Sequence, residues 1–248
     1  MALIKSPNTN QVSFGEGIGI ILLKTVTPTI PGDVACALSY DYPVRYKVIE
    51  EATISEMFAD PTRLLEQFIE AGKELENAGV KAVTGDCGFM AVLQDEMAKA
   101  LNIPVFMSSL LQIPLMDRMM GGQEKIGVIT ANSESLGKKH FDGVGISPET
   151  QERLVIGGME NKPGFKRYIL DERPEIDPEI MEDEMVEMAR ELVDEEGVGA
   201  FLVECSVLPP YSPAIQRATN LPVFDFITLI DHVYSGVVQT DQVFYKNK

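Results

Sequence analysis

Two of the three cysteines in this 248-residue chain occupy matching contexts. Cys87 ends AGVKAVTGDC (78–87) and Cys205 ends EGVGAFLVEC (196–205), at a shift of 118 residues. ALNIPVF (100–106) falls on ATNLPVF (218–224) at the same shift. Nine of the 28 positions from Gly79 to Phe106 equal their counterparts without a gap, and each cysteine stands 17 residues before the matching Pro104 or Pro222. A thiol titrates at roughly 8.5, close enough to neutrality to serve as base or acid. Two thiols facing one carbon from opposite sides could take a proton from one face and deliver one to the other. If that carbon neighbours a carboxylate, the developing dianion needs backbone N–H groups and side-chain donors. Gly88 and Ser206, which come directly after the cysteines, leave such N–H groups open. Cys36 has no counterpart and reads as a small buried hydrophobe.

Positioning the thiols requires strands and helices in alternation, and the pattern supplies them. Strands are predicted at GIGIILL (17–23), VKAVTGD (80–86), IPVFMS (103–108), KIGVITA (125–131), GAFLVEC (199–205) and LPVFDF (221–226). Helices are predicted over 59–79, 91–102 and 178–197; the first carries Leu64, Phe68, Ile69 and Leu75 at helical spacing and ends at Gly79. Strands joined by such helices make a parallel sheet. KIGVIT (125–130) also matches GIGIIL (17–22), at a shift of 108. The chain therefore reads as α/β: two pseudo-symmetric lobes, each with a mostly parallel sheet, and an active site in the cleft between them. Ligands in such sheets bind beyond the carboxyl ends of the strands, which is where both cysteines fall. A helix N-terminus there is expected to lower a thiol pKa toward neutrality.

Composition narrows the function classes. Hydrophobic residues make up 45% and charged residues 24%, a globular balance. A net charge of −17 argues against nucleic acid as a partner. The apolar runs are too short for a membrane span. MALIKSPNTNQ (1–11) lacks the features of a secretory leader, and an odd count of three cysteines fits reduced thiols, so a cytoplasmic location is expected. There is no C-x-x-C or H-E-x-x-H, and His140 and His232 are isolated, so neither a metal nor a cofactor is expected.

GDCGFM (85–90), VECSVLPPYSPAI (203–215) and the repeated spacing resemble the aspartate/glutamate racemase superfamily over nearly the whole chain. That superfamily covers cofactor-independent amino-acid racemases, hydantoin racemases, maleate isomerases, arylmalonate decarboxylases and an algal type of dimethylsulfoniopropionate lyase. The resemblance implies that Cys87 and Cys205 are the acid/base pair, that a small carboxylate lies between them, and that the protein is a homodimer or higher homo-oligomer. It also implies that the C-terminal helix returns to the first lobe, giving lobes of 1–111 plus 226–248 and of 112–225. Amino-acid racemases usually carry Asn-Thr after the first cysteine, and glutamate racemases Thr-His after the second and Asp-Ser after the first strand. Here the residues are Gly88-Phe89, Ser206-Val207 and Lys24-Thr25. Groups to hold an α-ammonium are thus not evident, and other small carboxylates stay open as substrates.

Further candidates surround the cysteines. Thr25 and Thr27, in the loop after the first strand, are either hydroxyl donors at the cleft or part of a surface turn. Arg45 is either a bidentate carboxylate clamp or a solvated side chain on tyrosine rings. Asn132 ends the strand equivalent to the first and is a candidate donor. Tyr211 either shapes the pocket or packs in the core. Asp86 and Glu204 precede the cysteines and either tune or orient them or, because alternate strand residues point to opposite faces, have a supporting or solvent role. The expected activity is that of a racemase or epimerase. A lyase of the same superfamily or a cis–trans isomerase is the alternative, and a small-carboxylate binding protein is the non-enzyme reading.

Overall fold

A computed structural model of the chain describes residues 11–239. The outermost parts of the 1–111 and 226–248 boundaries, and most of the stretch read for a leader, lie outside the described residues. The strands are β1 (Ile18–Leu22), β2 (Val44–Val48), β3 (Ala82–Gly85), β4 (Lys125–Thr130), β5 (Leu154–Gly158), β6 (Val198–Val203) and β7 (Val223–Phe224). The helices before β4 are α1 (Ile54–Ala59), α2 (Leu65–Ala78), α3 (Gln94–Ala100) and α4 (Ile113–Met119). After it come α5 (Lys138–Gly143), α6 (Pro148–Gln151), α7 (Pro163–Phe165), α8 (Pro178–Glu196), α9 (Ser212–Thr219) and α10 (Phe226–Val237). No helix among the described residues is long and apolar enough to cross a membrane.

Two parallel sheets result, in the orders β2-β1-β3 and β5-β4-β6-β7. The internal repeat is visible in their register. Ile18 pairs with Ala82 and Ile126 with Ala200; Val83 bridges Val105 as Phe201 pairs Val223. Each pair is the other displaced by the repeat. The central strands are near-continuous apolar runs because both faces are covered: Ile18, Ile20, Ile21, Val128 and Ile129 are fully buried.

Local chemistry sets the boundaries. The helix predicted over 59–79 is broken near its start. Asp60 accepts from Thr62 N–H and caps a 3-10 turn at Pro61–Leu64, and α2 begins directly after it. α2 ends at Gly79, in the left-handed region at φ 100°. α8 opens at Asp177, whose carboxylate accepts from the Glu179 and Ile180 N–H groups. The segment 103–108 forms one bridge rather than a strand: Val83 N–H donates to Pro104 O (3.0 Å) and Phe106 N–H to Val83 O (3.0 Å). Two strands, β2 and β5, arise where none was predicted. Both flank their sheets; VRYKV lacks the apolar run of a doubly covered strand, whereas LVIGG is apolar but short and mostly half-buried.

One large core runs from Ile21 and Val83 in the first sheet to Val128 and Phe201 in the second. A smaller one is built where Phe226, Leu229 and Ile230 of α10 meet Ile18, Ile20 and Ala82 of the first sheet. The last helix thus packs on the first half of the chain.

Candidate active site

The backbone carries both cysteines to one place by the same route. After β3, Asp86 N–H donates to Ile21 O (3.1 Å); after β6, Glu204 N–H donates to Ile129 O (2.8 Å). The chain then turns at each cysteine, with Met90 N–H donating to Cys87 O (3.1 Å) and Leu208 N–H to Cys205 O (3.2 Å). Cys87 and Cys205 line one cavity of about 70 Å³. Three hydroxyl side chains from the loop after β1 close one side: Thr25, Thr27 and Thr29. Ile54, Met57 and Phe58 of α1, Phe89, and Ile169 and Leu170 form an apolar wall. Phe58 and Phe89 meet edge to face at 5.0 Å.

The polar lining is acidic. Asp33, Asp86 and Glu204 are all buried and all line the cavity, whereas no lysine, arginine or histidine stands among its described lining residues. Burial pushes Asp33 up to about 7, although Ala35 N–H donates to it at 2.7 Å. Burial pushes Asp86 up to about 8 against the opposing hydrogen bond from Leu23 N–H. Burial pushes Glu204 up to about 7, with Thr130 Oγ1–H donating to Oε2 at 2.7 Å. Both thiols are raised as well, first by burial and next by the neighbouring Glu204 carboxylate. The backbone N–H groups of Phe89 and Val207 only partly oppose this. The expectation of a thiol lowered by a helix N-terminus is therefore corrected. Cys87 leads into a 3-10 turn (Gly88–Leu93) rather than an α-helix, and desolvation beside three carboxyl groups outweighs two N–H dipoles. Of the two roles expected for Asp86 and Glu204, the solvent-facing one is excluded by their burial. The strands end at Gly85 and Val203, so side-chain alternation stops before these residues and both turn inward.

The remaining candidates divide. Thr25, Gly88, Phe89 and Ser206 line the cavity. So does Thr27, but its hydroxyl donates to Tyr168 O at 3.1 Å and ties the loop to the opposite half. The Ser206 hydroxyl donates to Asp86 O across the two halves. Arg45, Asn132 and Tyr211 are not lining residues. Arg45 on β2 is engaged with Glu16 (2.9 Å), Asn132 Oδ1 accepts from Ser135 N–H (2.9 Å), and Tyr211 is buried in the core. Asn132 misses the cavity by one residue, because Ala131 lines it. Sequence patterns alone passed over Asp33, Met57 and Phe58, which come from unrepeated segments. The one available signal was Gly32 before Asp33: φ is +103°, and a Cβ there would stand 2.8 Å from Pro210 Cα, so this loop docks closely on the second half. Cys36 is buried away from the cavity.

No family model matches the chain. It is 32% identical over 242 residues to the dimethylsulfoniopropionate lyase of Durusdinium sp. clade D, covering 94% of this chain and 78% of that protein. It belongs to the dimethylsulfoniopropionate lyase family. Other members of the family include lyase 7 of Emiliania huxleyi (36% over 222 residues, 85% of this chain) and lyase 3 of the same species (34% over 234 residues, 89% of this chain). The chain spans 64% and 60% of their lengths. The family's fold is shared with solved structures of low identity. An aspartate racemase homologue from Pyrococcus horikoshii OT3 matches with a TM-score of 0.56 at 18% identity, covering 89% of this chain and 99% of that one. Allantoin racemase from Pseudomonas fluorescens matches at 0.54 and 14%, covering 88% and 89%. Unliganded arylmalonate decarboxylase matches at 0.53 and 15%, covering 90% and 92%. The fold is that of the Asp/Glu racemase superfamily.

Proposed function

We propose that this protein is a lyase that eliminates dimethyl sulfide from dimethylsulfoniopropionate, with Cys87 and Cys205 as its acid/base groups. The racemase reading that stood first in the sequence is thereby placed second. The opening step is common to both: a thiolate takes a proton from the carbon beside the carboxylate. In the elimination the electron pair left on that carbon forms a C=C bond, the β-carbon–sulfur bond breaks, and dimethyl sulfide leaves with the bonding pair. Acrylate remains, and the thiol returns its proton to water.

The observation that carries this choice is the acidic, cation-free cavity with an aromatic wall. A sulfonium group is a soft cation. The rings of Phe58 and Phe89 stand in the wall, where a ring face attracts a cation, and Asp33 and Asp86 offer it negative charge as they ionise. A bound cation also offsets the carboxylate charge that adds to burial in holding both thiols up, so the substrate itself favours thiolate formation. A dicarboxylic amino acid carries a net negative charge that would push the thiols further up, and no lysine or arginine among the described lining residues can receive its second carboxylate. The single carboxylate of the sulfonium acid suits backbone N–H groups in the turns after the cysteines.

Headspace gas chromatography of dimethyl sulfide from dimethylsulfoniopropionate tests the reading. Release is expected from the unaltered protein, with Cys87→Ser and Cys205→Ser each losing about 10²-fold or more, the usual scale for a proton-transfer group. Solvent deuterium entering both enantiomers of a chiral acid, without dimethyl sulfide release, would restore the racemase.

A further inference from the structure

Glu204 differs from the other two acidic groups of the cavity. Asp86, its counterpart in the repeat, receives Leu23 N–H at both oxygens, 3.0 and 3.2 Å away. Glu204 receives Thr130 Oγ1–H at Oε2 alone, and its Oε1 is buried without a hydrogen-bond partner. The side chain is 0% exposed. Its carboxyl crosses to the other half of the molecule: a Cβ on Gly88 would lie 1.9 Å from Oε1. Residue 88 is thus a glycine because the Glu204 carboxyl fills the space a side chain would need. Glu204 is bonded directly to Cys205 in the chain and lies against the residue next to Cys87. No other charged group acts as strongly on either thiol.

Among the described residues its surroundings hold no compensating cation. Cys87 comes from the first half and Cys205 from its own; Asp86 and Asp33 complete the acidic side. No basic residue stands among the described lining residues, and His140, edge-on to Phe89 at 5.1 Å, is pushed down to about 4 by burial and so is neutral at neutral pH. Two negative charges in this volume, one of them on an oxygen with no donor, would repel without compensation.

We propose that Glu204 is a positioning residue whose carboxyl, wedged between the Cys87 and Cys205 turns, governs thiolate formation in the pair: its charge holds both protons on, and its protonation releases one. Thiolate formation is thereby tied to the Glu204 proton. The inference rests on the cysteines being the acid/base pair of the proposed lyase. Its test needs no substrate.

In Glu204→Gln the side chain keeps its shape, can still accept from Thr130 and carries no charge at any pH. The thiolate absorbance near 240 nm, titrated in the resting protein, is expected to move to lower pH, its midpoint falling by about 1. Alkylation by iodoacetamide on the rising limb should then be about tenfold faster. Thr130→Val, which removes the one donor favouring the ionised carboxyl, should shift the titration the same way by a smaller amount, and it carries the test if Glu204→Gln does not fold. A purely structural Glu204 would leave the midpoint where it is, and an unmoved or raised midpoint in the folded variants overturns the proposal. If the midpoint falls but no dimethyl sulfide is released, the lyase reading fails and this one stands. If dimethyl sulfide is released and the midpoint does not move, only this one fails.

Discussion

A phenyl ring and a sulfonium ion attract one another because the ring face carries negative quadrupole charge. Phe58 lines the cavity but is only half-buried, whereas Phe89 is 1% exposed and held between Phe58 and His140. Phe58 is therefore the ring that can be removed with the least damage to the core. Phe58→Ala should raise KM for dimethylsulfoniopropionate by about tenfold, the scale of one cation–π contact of roughly 1–2 kcal/mol, while Phe58→Tyr retains most of the affinity. Steady-state kinetics on the two variants checks this. A KM unchanged in Phe58→Ala would place the cation elsewhere in the cavity. Neither Phe58 nor Asp33 could be singled out by motif, since each sits in a segment without a repeat partner. The cysteines could, because the repeat marks both at once.

At the scale of elements, the loop after β1 and the turn after α7 face each other over the cavity. The chain continues from α7 as a π turn (Lys166–Leu170), which presents the Tyr168 carbonyl to Thr27 and brings Ile169 and Leu170 to the wall. A hydroxyl marked in the sequence as a substrate donor is spent on joining the two halves. Its loss should loosen the mouth rather than the chemistry. Thr27→Val is isosteric and removes one hydrogen bond of about 1 kcal/mol net, so a KM rise of roughly fivefold with kcat nearly unchanged is expected. A drop in kcat with KM intact would instead put the hydroxyl on the reacting atoms. The π turn itself left no trace in residue pattern. It depends on α7 being anchored elsewhere: Glu184 of α8 accepts from the Gly164 and Phe165 N–H groups at 2.6 and 2.8 Å. β2 was hidden for a related reason. A strand at the border of a sheet is partly solvated and needs no apolar run.

For the whole molecule, three buried carboxyl groups tie stability to pH. Asp33 and Glu204 are raised to about 7 and Asp86 to about 8, while an unfolded chain loses these protons near 4. Between these limits the folded state binds more protons than the unfolded state, so stability falls as pH rises. The contribution is complete below about pH 4 and is gone above the folded-state values. Thermal unfolding followed by circular dichroism should give a lower Tm at pH 8.5 than at pH 5.5. Surface repulsion from the net charge of −17 acts in the same direction, so the comparison that isolates the cavity is Asp86→Asn against the unaltered protein. The variant should have the flatter pH dependence; equal slopes would mean that Asp86 keeps its charge in the fold.

The doubled α/β plan is already present in the order of residues, because a shift of 118 preserves strand, turn and cysteine together and a shift of 108 carries the first strand onto the fourth, and the paired register follows: Ile18 on Ala82, Ile126 on Ala200. The same order places the two thiols just past strand ends. The charge of the cavity, by contrast, arises only on folding. A carboxyl group acts on a thiol through distance and desolvation, and neither is a property of neighbours in the chain. Glu204 faces Gly88 across 116 residues of sequence, and Asp33 reaches the site because Gly32 lets its loop lie against Pro210. Those long-range approaches turned a cleft expected to serve dipoles and amides into an acidic one, and it is the acidity that points to a cationic substrate.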